Sequence, residues 1–160
     1  MLKNICLAAL LLFFSCDSSE NCCVNYEVDI FVKTRDSTGK DLLAPGNGAI
    51  DPDSIKIFYL TGSGEKKEVN KPNLDSPKGY RVIAPSVDNS NDYKIQLFLN
   101  ADYVDSQNIS HTYVQWNAGS TDAIKAEFKR HGKGLSVSKV WVNDALKWEP
   151  SKDRVITIIK

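Results

Sequence analysis

VNYEVDIFVK, residues 24–33, decides the fold class. Val24, Tyr26, Val28, Ile30 and Val32 fall on one side of an extended chain. Asn25, Glu27, Asp29 and Lys33 fall on the other, joined by Phe31. A period of two is the signature of a half-buried β-strand, because successive side chains of a strand point to opposite faces. The same alternation returns along the chain. Ile55, Ile57 and Tyr59 point inward in IKIFYL, and Tyr93, Ile95, Leu97 and Leu99 in YKIQLFLN. Ile124, Ala126 and Phe128 do so in AIKAEFK, and RVITIIK sets Val155, Thr157 and Ile159 on one face. Shorter strands are expected around Val69, at 80–84, at 112–116 and at 135–142. The phase of the last slips between Val137 and Val140, which predicts a bulge. Asn143-Asp144, between two runs of strand formers, predicts a tight hairpin.

Breakers separate these runs. Residues 36–54 form a long loop, TGSG at 61–64 a turn, and HGKG at 131–134 a hairpin loop. No stretch holds a helical period, and at most a short helical turn is expected at 73–76 or 101–106. Many short strands without crossover helices predict an all-β fold, an immunoglobulin-like antiparallel β-sandwich of roughly seven to nine strands over residues 24–160. The paired cysteines and core tryptophan of antibody domains are missing, so Trp116, Trp141 and Trp148 are expected to supply core bulk instead.

The 160 residues begin differently. Lys3 precedes an apolar run from Ile5 to Phe14, the length of a signal-peptide core and well short of the roughly 20 residues that span a bilayer. The run stops at Ser15-Cys16 and turns polar with Asp17, Ser18, Ser19 and Glu20. Phe13-Phe14-Ser15-Cys16 resembles a bacterial lipobox, with phenylalanine at the position usually held by leucine. The DSSE that follows resembles the tether of Bacteroidetes-type surface lipoproteins. That resemblance implies a signal peptide at 1–15, a covalent lipid on Cys16, a lipidated tether over 16–23, and a bacterial outer-membrane address on the periplasmic or cell-surface side. Two or more acyl chains make such anchoring effectively permanent. TYVQWNAGSTDAIKAEFK and VWVNDALKW resemble stretches of small lipoproteins from the same kind of bacteria, a likeness that implies a fold and an address but no mechanism.

Three of the four cysteines lie within residues 11–23, and none follows Cys23. Cys6 leaves with the leader. Cys22 and Cys23 have no distant partner, so they supply no disulfide framework. A bond between the two neighbours, bonds to another copy and free thiols are the open readings, with the neighbour disulfide leading.

Lys plus Arg and Asp plus Glu are both 20, so the formal charge is zero. This balance gives no basic excess for nucleic acid and no stripe for an anionic membrane surface. His111 and His131 belong to no metal or triad motif, and no glycine-rich phosphate loop is present. Asp51 with Asp53, and Asp88 with Asp92, place oxygens at near-alternate positions that suit calcium, but neither stretch matches the twelve-residue calcium loop. Turn chemistry is the favoured account of both, and no cofactor or metal beyond the lipid is expected. Tyr80, Tyr93, Tyr103, Tyr113, Trp116 and Trp148 would make a ligand platform only on one exposed face, and packing is favoured. The expected function is a non-enzymatic binding, adhesion or accessory module of the cell envelope with an unknown protein or glycan ligand. A hydrolase built around a histidine and a structural subunit of an envelope complex are the alternatives.

Overall fold

The apolar faces of the alternating strands pair off into two stacked sheets with one core between them. The computed structural model describes residues 24–46 and 50–160. The leader, Cys16, Cys22 and Cys23 lie outside the described residues.

The strands in chain order are β1 (Tyr26–Glu27), β2 (Asp29–Arg35), β3 (Lys56–Leu60), β4 (Lys66–Glu68), β5 (Tyr80–Ile83) and β6 (Lys94–Phe98). They continue with β7 (Ile109–Asn117), β8 (Ser120–His131), β9 (Gly134–Val142), β10 (Ala145–Trp148) and β11 (Val155–Ile159). The larger sheet has the order β1-β9-β8-β7-β3-β4, with β10 also on β9; the smaller has the order β11-β2-β6-β5. The fold is thus the all-β sandwich expected, with eleven described strands rather than seven to nine.

Both sheets are mixed. β1 runs parallel to β9, and β11 runs parallel to β2, where antiparallel neighbours were expected. The remaining pairings are antiparallel. The cause is the chain's repeated change of sheet: β11 comes back after four strands in the other layer and adds to the free edge of β2. Its inward residues are Ile156 and Ile158, so the face made by Val155, Thr157 and Ile159 points away from the core. The stretch 24–33 is not one strand but is split between β1 and β2 of different sheets, which leaves Val24 and Tyr26 exposed and Val28 half-buried. Tyr93 is half-buried too, and elsewhere the alternation holds. Ile30, Val32, Ile57, Tyr59, Ile95, Leu97, Ile124, Ala126 and Phe128 are buried.

The bulge falls where the phase slips. Glu127 faces Lys139 and Phe128 faces Val137, which leaves Ser138 as the extra residue. Its hydroxyl donates to the Glu127 carbonyl (3.1 Å) and carboxylate (2.9 Å). Asn143 and Asp144 both take positive φ, +48° and +66°, as the hairpin turn requires. The helical turns lie elsewhere than expected. One is a 3-10 turn, Pro52–Ser54, and the other is α1, Pro85–Asp88, where proline at the first position presets the backbone. Trp116 and Trp148 are core residues, whereas Trp141 sits on the outer face beneath Lys125, whose ammonium is 4.6 Å from the ring centre.

Polar groups tie the layers together. Asn100 is fully buried and donates to the carbonyls of Leu60 (2.9 Å) and His111 (3.2 Å). Asp122 accepts from the Trp116 indole (2.7 Å), from Asn143 (2.8 Å) and from the ammonium of Lys160, the residue after β11. Burial works to raise the Asp122 carboxyl, but these three donors outweigh it and hold the group below its ordinary range. A carboxyl held low in the folded state stabilises above the unfolded range, about pH 4, and the benefit fades as pH falls below it. Asp122→Ala is expected to cost about 3 kcal/mol, because it strands a cation and two donors in the interior. Thermal melts from pH 7 to pH 3 should also show a shallower acid decline for Asp122→Asn than for the natural chain. Thr34 is fully buried and its hydroxyl has no partner. Thr34→Val is therefore expected to raise stability by about 1 kcal/mol in denaturant melts.

Candidate functional site

A cleft of about 590 Å³ opens near the point where the chain passes from β1 in the larger sheet to β2 in the smaller. Its walls include Tyr26, Val28, Tyr59, Val69, Leu74 and Phe98. Tyr59 comes from the inward face of β3, and Phe98 ends β6. The Tyr59 hydroxyl donates to the Phe98 carbonyl at 2.9 Å, and burial pushes its pKa far above the usual range. At the rim Lys71 pairs with Asp102 (2.7 Å) and lies 5.6 Å from the Tyr59 ring centre. The lining includes Ser76 but no histidine. Apolar walls with a charged rim can hold an apolar group and orient it.

The two histidines stand apart. His111 is half-buried on β7 opposite Lys125, and it lines a second hollow of about 500 Å³ with Tyr103, Asp102 and Asp105. His131 ends β8, six residues beyond Lys125, a displacement of about 20 Å along an extended strand. Its Nε2 is 3.1 Å from the Ser136 hydroxyl on the exposed surface. Glu27 is the strand partner of Ser136, but its oxygens accept from Arg154 (2.7 Å) and Asn25 (2.9 Å), not from the imidazole. Glu27 thus makes no hydrogen bond to the imidazole, although it feels its charge.

The acidic stretches carry turn and ion-pair work. Asp51 caps the 3-10 turn by accepting from the Asp53 amide at 3.0 Å, and the Asp53 carbonyl accepts from Lys78. Asp88, at the end of α1, pairs with Lys94 and accepts from the Ser90 amide. Asp92 is bound by Arg35 (2.6 Å) and Lys33 (2.9 Å) of β2. Hydrogen bonds from Arg35 and then Lys33 hold its carboxyl below the ordinary range. Among the described residues no three His, Cys, Asp or Glu gather as metal ligands. Of the six aromatics listed above, Tyr80, Trp116 and Trp148 are buried, Tyr93 and Tyr113 are half-buried, and Tyr103 is exposed.

Two groupings were invisible in the linear reading. The Trp116–Asp122–Asn143–Lys160 network joins residues that only the sheet order brings together. A cluster of exposed cations, Lys129, Arg130 and Lys133, caps the β8–β9 hairpin. Its signal, KRHGK, stands in the sequence, but the balanced total charge hides it.

Ammonium and guanidinium groups already fill the positions a cation would take at Asp88 and Asp92. Calcium at millimolar concentration is therefore expected to leave the melting temperature unchanged, and a chelator-reversible rise would contradict this arrangement.

No known protein-family model matches this chain, and neither a curated protein nor a solved structure shows significant similarity to it.

Proposed function

We propose that this chain is a lipid-anchored β-sandwich of the bacterial cell envelope that acts by binding, as a recognition or accessory module, without catalysis. The observation that carries the reading is the order of elements at the front: Lys3, the apolar run from Ile5 to Phe14, Ser15, Cys16, then an acidic, serine-rich tether. An apolar run of about ten residues suits export, and a small residue before the cysteine suits cleavage and acylation there. No helix among the described residues is long and apolar enough to cross a membrane. The body adds support of a different kind. Many of its carboxylates are bound to cations of the same chain, and its cleft offers apolar walls rather than a reactive pair.

The hydrolase alternative rests on the contact between His131 and Ser136. Ser136→Ala would abolish turnover of small esters or peptides if that alternative held, whereas on the binding reading the natural chain turns over none of them.

Cys16→Ala is expected to abolish acylation and move the protein from the detergent-extracted membrane fraction to the soluble or peripheral fraction. Mass spectrometry of the natural product should show a diacyl or triacyl group on residue 16. A chain that stays membrane-integral after Cys16→Ala, with no acyl group on the natural product, would overturn the anchor.

A further inference from the structure

The β8–β9 hairpin ends in KRHGKG, residues 129–134. Lys129, Arg130, His131 and Lys133 are all exposed there. The nearby carboxylates are engaged. Glu127 is bound by Ser138 (2.9 Å) and Lys139 (3.3 Å), and Glu27 by Arg154 (2.7 Å) and Asn25 (2.9 Å). Asp105, on the loop beside β8, accepts from the amides of Gln107 and Ile109, both at 2.8 Å. No ion pair among the described residues involves Lys129, Arg130 or Lys133. A chain with no net charge therefore gathers at one corner three cations that form no ion pair, although Glu127 lies close enough to Lys129 to feel its charge.

The chain also enters the fold at this corner. β1 runs parallel to β9, so Tyr26 lies beside Leu135 and Glu27 beside Ser136. The Leu135 amide donates to the Asn25 carbonyl at 3.0 Å. Gly134 permits the approach, since a Cβ there would stand 2.7 Å from the same carbonyl. Val24 and Tyr26 leave apolar surface beside the cations, 44% and 61% exposed respectively. Cys16 and Val24 are eight residues apart, a span of at most about 28 Å when fully extended. A tether of that length keeps this corner within a few Debye lengths of any bilayer that holds Cys16, whatever the orientation of the body.

We propose that this corner, with Lys129, Arg130 and Lys133 at its centre and Tyr26 beside them, is a second membrane contact that docks on anionic phosphate headgroups. The proposal rests on the anchor reading for its address. The acyl group holds the chain at the bilayer, and a basic patch within reach adds electrostatic attraction to anionic lipid. Lysine and arginine held at an anionic surface each strengthen binding about fivefold. Tyrosine suits the same boundary, since its ring is apolar and its hydroxyl wet. Docking would fix the sandwich upright or tilted, with the far end, where Lys160 meets Asp122, turned from the membrane.

The test uses the acylated full chain in vesicles of phosphatidylethanolamine with phosphatidylglycerol, or of phosphatidylcholine alone. Lysines are acetylated briefly and the sites read by mass spectrometry. Lys129 and Lys133 should be protected severalfold on the anionic vesicles, not on the zwitterionic ones, and the protection should vanish at high salt. Lys40, at the far end, should react alike on both. A second arm compares flotation of the Cys16→Ala chain with and without K129E/R130E/K133E. The reversal should lower partitioning to anionic vesicles by about a hundredfold. Equal acetylation on both vesicles, or unchanged flotation after the reversal, would overturn the docking surface. A protected tip on a chain that mass spectrometry shows to be unacylated would support the docking surface while removing the anchor.

Discussion

Strand β2 must be hydrogen-bonded on both sides before the smaller sheet exists. One side takes β6, whose register pairs Ile30 with Leu97 and Val32 with Ile95. The other takes β11, which arrives from roughly 120 residues away and lies parallel. Without β11 the inward row Ile156 and Ile158 is missing from the core, and β2 exposes a flank of unpaired amides. The end of β11 then fastens the two layers, since Lys160 reaches the Asp122 carboxylate of β8 while its amide donates to the Arg35 carbonyl. Closure over such a separation carries an entropic cost that the local hairpins of the larger sheet do not.

Charge is organised around the same frame. Arg35 and Lys33 of β2 hold Asp92, Arg154 before β11 reaches Glu27 and Asp29, and Lys94 of β6 holds Asp88. Lys129, Arg130 and Lys133, at the hairpin beside the first described residues, take part in no ion pair among the described residues. A neutral total therefore coexists with an uneven surface, and the unevenness has a direction relative to the chain's entry.

The strands were legible because their alternation is local. Val32, Leu97 and Phe128 announce an inward face from their immediate neighbours alone, and the slip between Val137 and Val140 marks the bulge at Ser138 in the same way. RVITIIK resisted because β-branched and apolar residues occupy both faces, leaving alternation nothing to choose between; the partner strand decides, and sequence spacing does not name the partner. The parallel pairings were hidden for the same reason. Asp88 and Asp92 stood out as an oxygen-rich stretch, yet the cations that occupy Asp92 come from positions nearly 60 residues earlier. The walls of the cleft, drawn from β1, β3, β6 and the segment after β4, had no signal of their own, since each is an ordinary strand or loop residue until the fold brings them together.

The borders of the larger sheet carry one more implication. On one side the outermost strand is the short β4, where Lys66, Lys67 and Glu68 are all exposed. On the other, β9 is flanked by β1 and β10 at its two ends, with the Ser138 bulge between them. Neither border offers the long, straight, uncharged row of amides and carbonyls on which a strand of another molecule could extend the sheet. The borders of the larger sheet thus discourage edge-to-edge aggregation.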